Sequence, residues 1–268
     1  MQSSGSSRHL LQTKRLLEGK KALITGASRG IGREISIAYA ENGADLVLVS
    51  RKSIEIESLA KELGSKWGSK AFGLQGDVTI SSDAGMIVSR AIEKLGGIDI
   101  LVCAAGYPFD PELWDKSLHE LTEDDFLRTF NSDLLGSFRF AKGVIPEMIR
   151  QRSGVVILFS STTAIAGYNK GGSYTIAKSA VRGLAKEIAS EYGEYNVRAY
   201  AVAPGNIKTD ATFNNLSKEE QSSLANESPM KRWGNPEEVA HVCVVLGSDN
   251  MSFVTGQTIV VDGGTVML

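Results

Sequence analysis

Short runs of β-branched and other apolar residues recur along this chain, and nearly every one is followed by a stretch with helical spacing. That alternation restricts the fold to a parallel sheet covered by helices on both sides. Lys21 to Thr25 is an apolar run ending in glycines, and Ile31 to Asn42 follows with helical spacing. Asp45 to Ser50 reads DLVLVS, a continuous run that suits a strand buried on both faces. Helical and apolar segments then alternate: Lys52 to Leu63, Ala71 to Gln75, Ser81 to Leu95, and Ile98 to Ala104. A long helix is expected from Glu123 to Arg150, a strand at Val155 to Phe159, a helix at Tyr174 to Tyr192 and a strand at Val197 to Val202. Pro236 opens another helix as a first-turn proline, and Ile259 to Val261 is the last strand. No linker-like shift in composition and no repeat interrupts residues 20–268. The expectation is one α/β domain over 20–268, a doubly wound parallel sheet of about seven strands, behind a flexible extension at 1–19.

Composition narrows the function classes. A chain of 268 residues buries one sizeable core, and 42% apolar with 22% charged residues is ordinary for a globular domain. A net charge of −2 with mixed signs offers no footprint for nucleic acid. No apolar run approaches the roughly 20 residues that span a bilayer, so no membrane partner is expected. Cys103 and Cys243 lie in apolar runs and read as buried free thiols in a reducing compartment. His9, His119 and His241 are too scattered for a metal cluster, so no metal is expected. The first seventeen residues are serine-rich and carry Arg8, Lys14 and Arg15 without an acid. A targeting segment, a floppy start and a cloning remnant all fit that pattern, and a cytoplasmic location is the expectation.

The first strand-to-helix turn reads Thr25-Gly26-Ala27-Ser28-Arg29-Gly30-Ile31-Gly32. Glycines at such a turn let the backbone approach a pyrophosphate lying at the positive end of the next helix, the Rossmann-type arrangement. A loop that only needs positive φ values would look similar. The placement between a strand and a helix favours a dinucleotide site. At the end of the second strand an NAD enzyme needs a carboxylate for the ribose hydroxyl, whereas an NADP enzyme needs cations for a 2′-phosphate. Here Ser50 is followed by Arg51 and Lys52, with no acid before Glu55. Arg29 would approach the same phosphate from the glycine turn. Either arginine alone reads as a solvated surface charge; the two together, with the acid absent, point to NADP(H).

Tyr174 and Lys178 stand four residues apart, on one face of a helix. A cation beside a phenol eases proton exchange with a substrate oxygen near neutral pH. With seven tyrosines in the chain, that spacing alone is weak evidence. Its setting strengthens it: Ser160-Ser161 ends the fifth strand, at the carboxyl edge where ligands bind in open α/β sheets.

Residues 20–264 resemble the short-chain dehydrogenase/reductases throughout. The glycine turn matches, Asp77-Val78 matches the family's adenine-contacting pair, and Ser161 precedes Tyr174 by thirteen residues as the family's carbonyl-orienting serine does. Ala104, Ala105 and Gly106 keep the small residues found near the adenosine. Pro204-Gly205-Asn206-Ile207-Lys208-Thr209 matches the loop whose isoleucine and threonine hold the nicotinamide carboxamide. The run Arg232 to Ala240, then Thr255-Gly256-Gln257 and Asp262-Gly263-Gly264, is most similar to 3-oxoacyl-[acyl-carrier-protein] reductases. The resemblance implies NADPH-dependent reduction of a small-molecule carbonyl to an alcohol, 3-oxoacyl or a related ketone. It implies Ser161 orienting the oxygen, Tyr174 exchanging the proton, Lys178 binding the nicotinamide ribose, and a homotetramer.

Two positions depart from the family pattern. The family's Asn-Asn-Ala-Gly is here Cys103-Ala104-Ala105-Gly106, and its tetrad asparagine falls on Asp133. Asn131, two residues away, points elsewhere on a helix. Both features also resemble 2,4-dienoyl-CoA reductases, which lack the tyrosine; that activity is the runner-up. A catalytically silent dinucleotide-binding sensor or scaffold is the reading from another class. Asp133 is expected to modulate the proton relay, the alternative being a surface pair with Arg128 or Arg139. Substrate choice is expected in the aromatic loop Tyr107 to Trp114 and in a polar lid from Ala211 to Lys231.

Overall fold

Strands buried on both faces need apolar side chains on every position, and the central runs of this chain supply them. In the computed structural model, which describes residues 15–267, they form β1 (Lys21–Thr25), β2 (Asp45–Ser50), β3 (Ala71–Gln75), β4 (Ile100–Cys103), β5 (Gly154–Phe159), β6 (Val197–Pro204) and β7 (Thr258–Val261). All seven pair in parallel in the order β3-β2-β1-β4-β5-β6-β7. Successive strands run outward from β1 in both directions, so the switch point lies between β1 and β4.

Side chains alternate between two cores. Ile24, Leu48, Val102, Ile157 and Val202 face α1 (Gly30–Glu41), α2 (Ser53–Trp67) and α10 (Pro236–Gly247). Leu23, Val47, Leu101, Val156 and Ala201 face α3 (Ser81–Leu95), α6 (Gly136–Gln151) and α8 (Gly172–Tyr192). Each aliphatic side chain so buried contributes about 1.5–3 kcal/mol. Shorter helices sit at the carboxyl edge: α4 (Pro111–Asp115), α5 (Glu123–Phe130), α7 (Thr163–Ala166) and α9 (Lys218–Glu227).

Four features differ from the sequence reading. The strand expected at Ile98 to Ala104 ends at Cys103, because the chain peels away to clear the glycine turn. The long helix expected from Glu123 to Arg150 runs without a gap but contains a π-helical turn at Asn131–Leu135. The polar lid contains α9, capped by Ser217 and Glu220 in a reciprocal box. Residues 15–19 belong to the packed domain rather than to the extension. Leu17 is fully buried, and the backbone N–H groups of Leu17 and Gly19 donate to the carbonyls of Asn42 and Gly43. The rest of the proposed extension, 1–14, lies outside the described residues. Among the described residues, no helix is long and apolar enough to cross a membrane.

Candidate active site

The carboxyl ends of β1, β4, β5 and β6 gather most of the residues singled out from the sequence. Gly26, at φ +68°, turns the chain where an added Cβ would stand 2.6 Å from the backbone nitrogen of Ala105. A Cβ on Gly32 would stand 2.3 Å from the carbonyl oxygen of Gly26. These two glycines are therefore required by the chain's own packing. Gly30, at φ +54°, instead opens toward Thr209, whose methyl would be 3.6 Å from an added Cβ. The turn thus meets the 204–209 loop across the switch point.

Helix α1 begins here with Arg29 at its N-cap, no side chain capping the first turn and no acid in it. Its leading N–H groups around Gly30 and Ile31 are free of anionic side chains, which suits a pyrophosphate. Beside the turn, Ser50 donates to Ser28 at 3.0 Å and the N–H of Ala27 bonds the carbonyl of Val49. Arg29 and Arg51 are both exposed. Lys52 is paired with Glu55 at 2.7 Å, whereas no acid pairs with Arg29 or Arg51 among the described residues. Asp77 follows β3, and its carboxylate accepts from the N–H and hydroxyl of Thr79. Val78 packs on Gly136, and its carbonyl accepts from Arg139.

At the centre, Lys178 is held both by its backbone and by the tip of its side chain. Its carbonyl accepts from the Ser160 hydroxyl at 2.9 Å, and its Nζ donates to the Phe159 carbonyl at 2.9 Å. The same Nζ lies 2.6 Å from Oδ1 of Asp133, at an angle outside that of a directed hydrogen bond. Both side chains are almost wholly buried. Oδ2 of Asp133 accepts from the N–H of Tyr107 at 3.0 Å, and Gly106 leaves the space a Cβ would take from Oδ1. Burial opposes the Lys178 charge, but the Asp133 carboxylate and the Tyr174 phenol outweigh it and raise its pKa above the ordinary lysine value. The Nζ sits 5.7 Å from the Tyr174 ring centroid.

The surface-pair alternative for Asp133 does not hold. Arg128 binds Asp124, and Arg139 binds Asn131 and the Val78 carbonyl. The π turn at 131–135 directs Asp133 inward while Asn131 points to Arg139.

Ser161 is buried, and its Oγ accepts from both the N–H and the hydroxyl of Thr163 at 3.3 and 3.1 Å. With its lone pairs engaged by Thr163, the serine hydroxyl hydrogen is left to point at a ligand. Sequence reasoning missed Thr163, and Ser161-Thr162-Thr163 carries no signature beyond its closeness to the strand end. Thr162 donates its N–H to the Pro204 carbonyl at 3.2 Å, tying this turn to the 204–209 loop. Gly205 donates to Val261, Ile207 is buried against Gly234, and the Thr209 hydroxyl lies 2.9 Å from that of Thr212. Both cysteines are free and buried, and burial pushes the Cys103 thiol up to about 12.

Known proteins share this frame. Residues 26–266 match the family described as enoyl-(acyl carrier protein) reductase. The 3-oxoacyl-[acyl-carrier-protein] reductase FabG of Thermotoga maritima is 36% identical over 94% of this chain and 99% of its own length. Oxidoreductase UcpA of Salmonella typhimurium is 36% identical over 94% of this chain and 96% of its own. The solved 3-oxoacyl-[acyl-carrier protein] reductase of Brucella melitensis superposes with a TM-score of 0.88 at 30% identity, over 100% of this chain and 99% of that one. A 7α-hydroxysteroid dehydrogenase solved with NADH and 7-oxo glycochenodeoxycholic acid gives 0.88 at 32% identity, over 95% and 97%. The seven-stranded parallel sheet, the matched family model and these relatives agree: the chain belongs to the short-chain dehydrogenase/reductases and is an oxidoreductase of that family.

Proposed function

We propose that this chain is an NADP(H)-dependent enzyme that interconverts a ketone, 3-oxoacyl or related, and its secondary alcohol. The observation that carries the reading is the buried, charged Lys178, fixed beneath the Tyr174 ring at the strand end that also presents Ser161. Such a lysine keeps a positive field at the phenol at low effective dielectric, where it acts most strongly.

The residues present fit a dinucleotide. The uncapped first turn of α1 and the backbone around Gly30 would hold the pyrophosphate, and Arg29 and Arg51 the 2′-phosphate. Asp77, Val78, Ala104, Ala105 and Gly106 would line the adenosine. Pro204, Gly205, Ile207 and Thr209 would hold the nicotinamide end. The two electrons and the carbon-bound hydrogen of the reduction come from NADPH when it is bound.

In the reducing direction, Ser161 donates a hydrogen bond to the carbonyl oxygen and Tyr174 delivers the proton that completes the alcohol. The phenol is then reprotonated from solvent, so the balance is ketone plus NADPH plus one proton to alcohol plus NADP+. Lys178 steadies the charge left on Tyr174 and binds the ribose. Asp133 is a positioning residue: it holds the lysine charged and in place, and the proton donor is Tyr174. The presence of its carboxylate inside the site favours the 2,4-dienoyl-CoA reading to that extent, but that reading leaves Ser161 and Tyr174 without a task. A homotetramer in the cytoplasm completes the proposal; exposed Leu127 and Phe138 on α5 and α6 supply apolar surface for the contact.

The test is a panel of β-ketoacyl thioesters, 2,4-dienoyl-CoA, quinones and ketoses, followed by NADPH absorbance. Carbonyl turnover supports the reading. Turnover of dienoyl-CoA alone moves the runner-up ahead, and tight NADPH binding without turnover of any compound supports the silent sensor.

A further inference from the structure

Tyr174 is flanked by a cluster of aromatic rings. Trp114 lies edge-on to the Tyr174 ring, with centroids 5.8 Å apart, and packs at similar distances against Phe109 and Tyr168. Trp114 is fixed there: its carbonyl accepts from the N–H of Gly171 at 2.8 Å, and its ring occupies the space a Cβ on Gly171 would need. Phe109 and Tyr168 nevertheless remain 42% and 46% exposed. Rings held rigidly beside a reacting phenol, with apolar faces still open to water, favour a flat apolar ligand.

The charge around them is one-sided. Residues 107–128 hold seven acids and two bases, and the lid at 211–231 holds three acids and two bases. Both bases of the first segment are already paired within it, Lys116 to Asp125 at 3.1 Å and Arg128 to Asp124 at 2.7 Å. Lys170, beside Tyr168, is paired to Asp115 at 2.6 Å. Glu220 of the lid also acts on that ammonium, though less strongly than Asp115. A phosphate-bearing or acidic carrier entering from this side would meet net negative charge and no free partner in the 107–128 rim.

We infer that the substrate is a free, uncharged ketone with a flat ring next to the carbonyl, and not an acyl group carried on coenzyme A or an acidic protein. This rests on the carbonyl-reductase reading above. Trp114 is the specificity-determining residue, and the acidic rims exclude anionic carriers.

The experiment compares kcat/KM with NADPH for 1-tetralone, for the N-acetylcysteamine thioester of 3-oxobutanoate, and for the coenzyme A thioester of the same acid. At low salt, 1-tetralone should exceed the coenzyme A thioester at least tenfold. The uncharged thioester should lie between them, and added salt should narrow the gap between the two thioesters. Trp114→Ala should lower kcat/KM for 1-tetralone at least tenfold more than for the uncharged thioester, with NADPH affinity serving as the check on folding. If the coenzyme A thioester matches or beats its uncharged counterpart at low salt, the inference about the rims is overturned. If 1-tetralone is slower than the uncharged thioester, the inference about the rings is overturned. Both of those results leave the carbonyl-reductase reading intact; turnover of none of the three overturns this inference, and that reading then stands or falls on the wider panel of quinones and ketoses.

Discussion

Replacing Asp133 by asparagine keeps the shape of the side chain and deletes its charge, and the effect is set by the groups around it. The carboxylate does two things: Oδ1 pairs in charge with the Lys178 ammonium, and Oδ2 accepts from the Tyr107 N–H. An amide has one acceptor oxygen and one NH2, so Asp133→Asn can keep the Tyr107 bond only by turning its NH2 hydrogens toward the Lys178 ammonium. At 2.6 Å and an effective dielectric near 20, the lost attraction is roughly 6 kcal/mol before solvation is counted. Breaking a buried pair from one side typically costs about 3–5 kcal/mol net. With an unfolding entropy of about 2.1 cal/mol/K per residue, a loss of about 3 kcal/mol in a chain this long lowers Tm by roughly 5 °C. The pH dependence comes from the raised pKa of Lys178, which burial opposes and Asp133 restores. A raised folded-state pKa contributes stability that is fully present below the unfolded lysine value of about 10.4 and is lost as pH rises through the folded value. The wild-type advantage should therefore be full at neutral pH and shrink in strong alkali. In Asp133→Asn, burial of Lys178 loses its largest counterweight, so its charge is lost earlier and the alkaline limb of carbonyl reduction moves to lower pH. Calorimetry and a pH–rate profile check both points. An unchanged Tm with an unmoved limb would refute the reasoning, and a loss of turnover by several orders of magnitude at neutral pH would make the carboxyl group the proton donor.

Arg51→Asp should weaken NADPH binding at least about tenfold, since a charge-assisted bond contributes about 1.5–3 kcal/mol. Titration calorimetry with both cofactors reads this, and equal wild-type affinity for NADPH and NADH would rule out the NADP assignment. Tyr174→Phe should cut turnover by about 10²–10⁴ while NADPH still binds; activity within about tenfold of wild type would mean that another group is the acid. Glu238→Gln should lower Tm at neutral pH, because bonds from Arg232 and from the Asn235 N–H hold the Glu238 carboxyl at about 2. A depressed carboxyl stabilises above its unfolded value of about 4.3 and ceases to as pH falls through the folded value. The gap between wild type and variant should close between those limits, and a gap independent of pH would refute the pairing.

The strands were legible because residues buried on both faces leave uninterrupted apolar runs, and short strands in parallel register need little else. Their ends were less so. Whether Ala104 and Ala105 extend β4 depends on how near Gly26 comes, which is a contact between segments almost eighty positions apart. The Glu123 to Gln151 stretch keeps a helical look because a π turn adds one residue without breaking the pattern of apolar positions. Its effect on Asp133 could be found only in three dimensions. Ser217-Lys218-Glu219-Glu220 carries the capping signature of α9 openly in the sequence. The aromatic loop was visible by composition, but its meeting with Tyr174 spans sixty residues and leaves no periodic trace.

Beyond its charge, the Lys178 ammonium also sets a direction. It carries three hydrogens in a fixed tripod; the Phe159 carbonyl takes up one spoke, and the Asp133 carboxylate stands 2.6 Å away without lying along another. Once that spoke is set, the bearings of the others are confined to the cone around it, and Asp133 crowds part of that cone. A hydroxyl or water that meets the ammonium must come from the part of the cone that Asp133 leaves open, so the lysine acts as a compass for incoming oxygen atoms. Arginine, with a planar fork in place of a tripod, has no equivalent pose at this position.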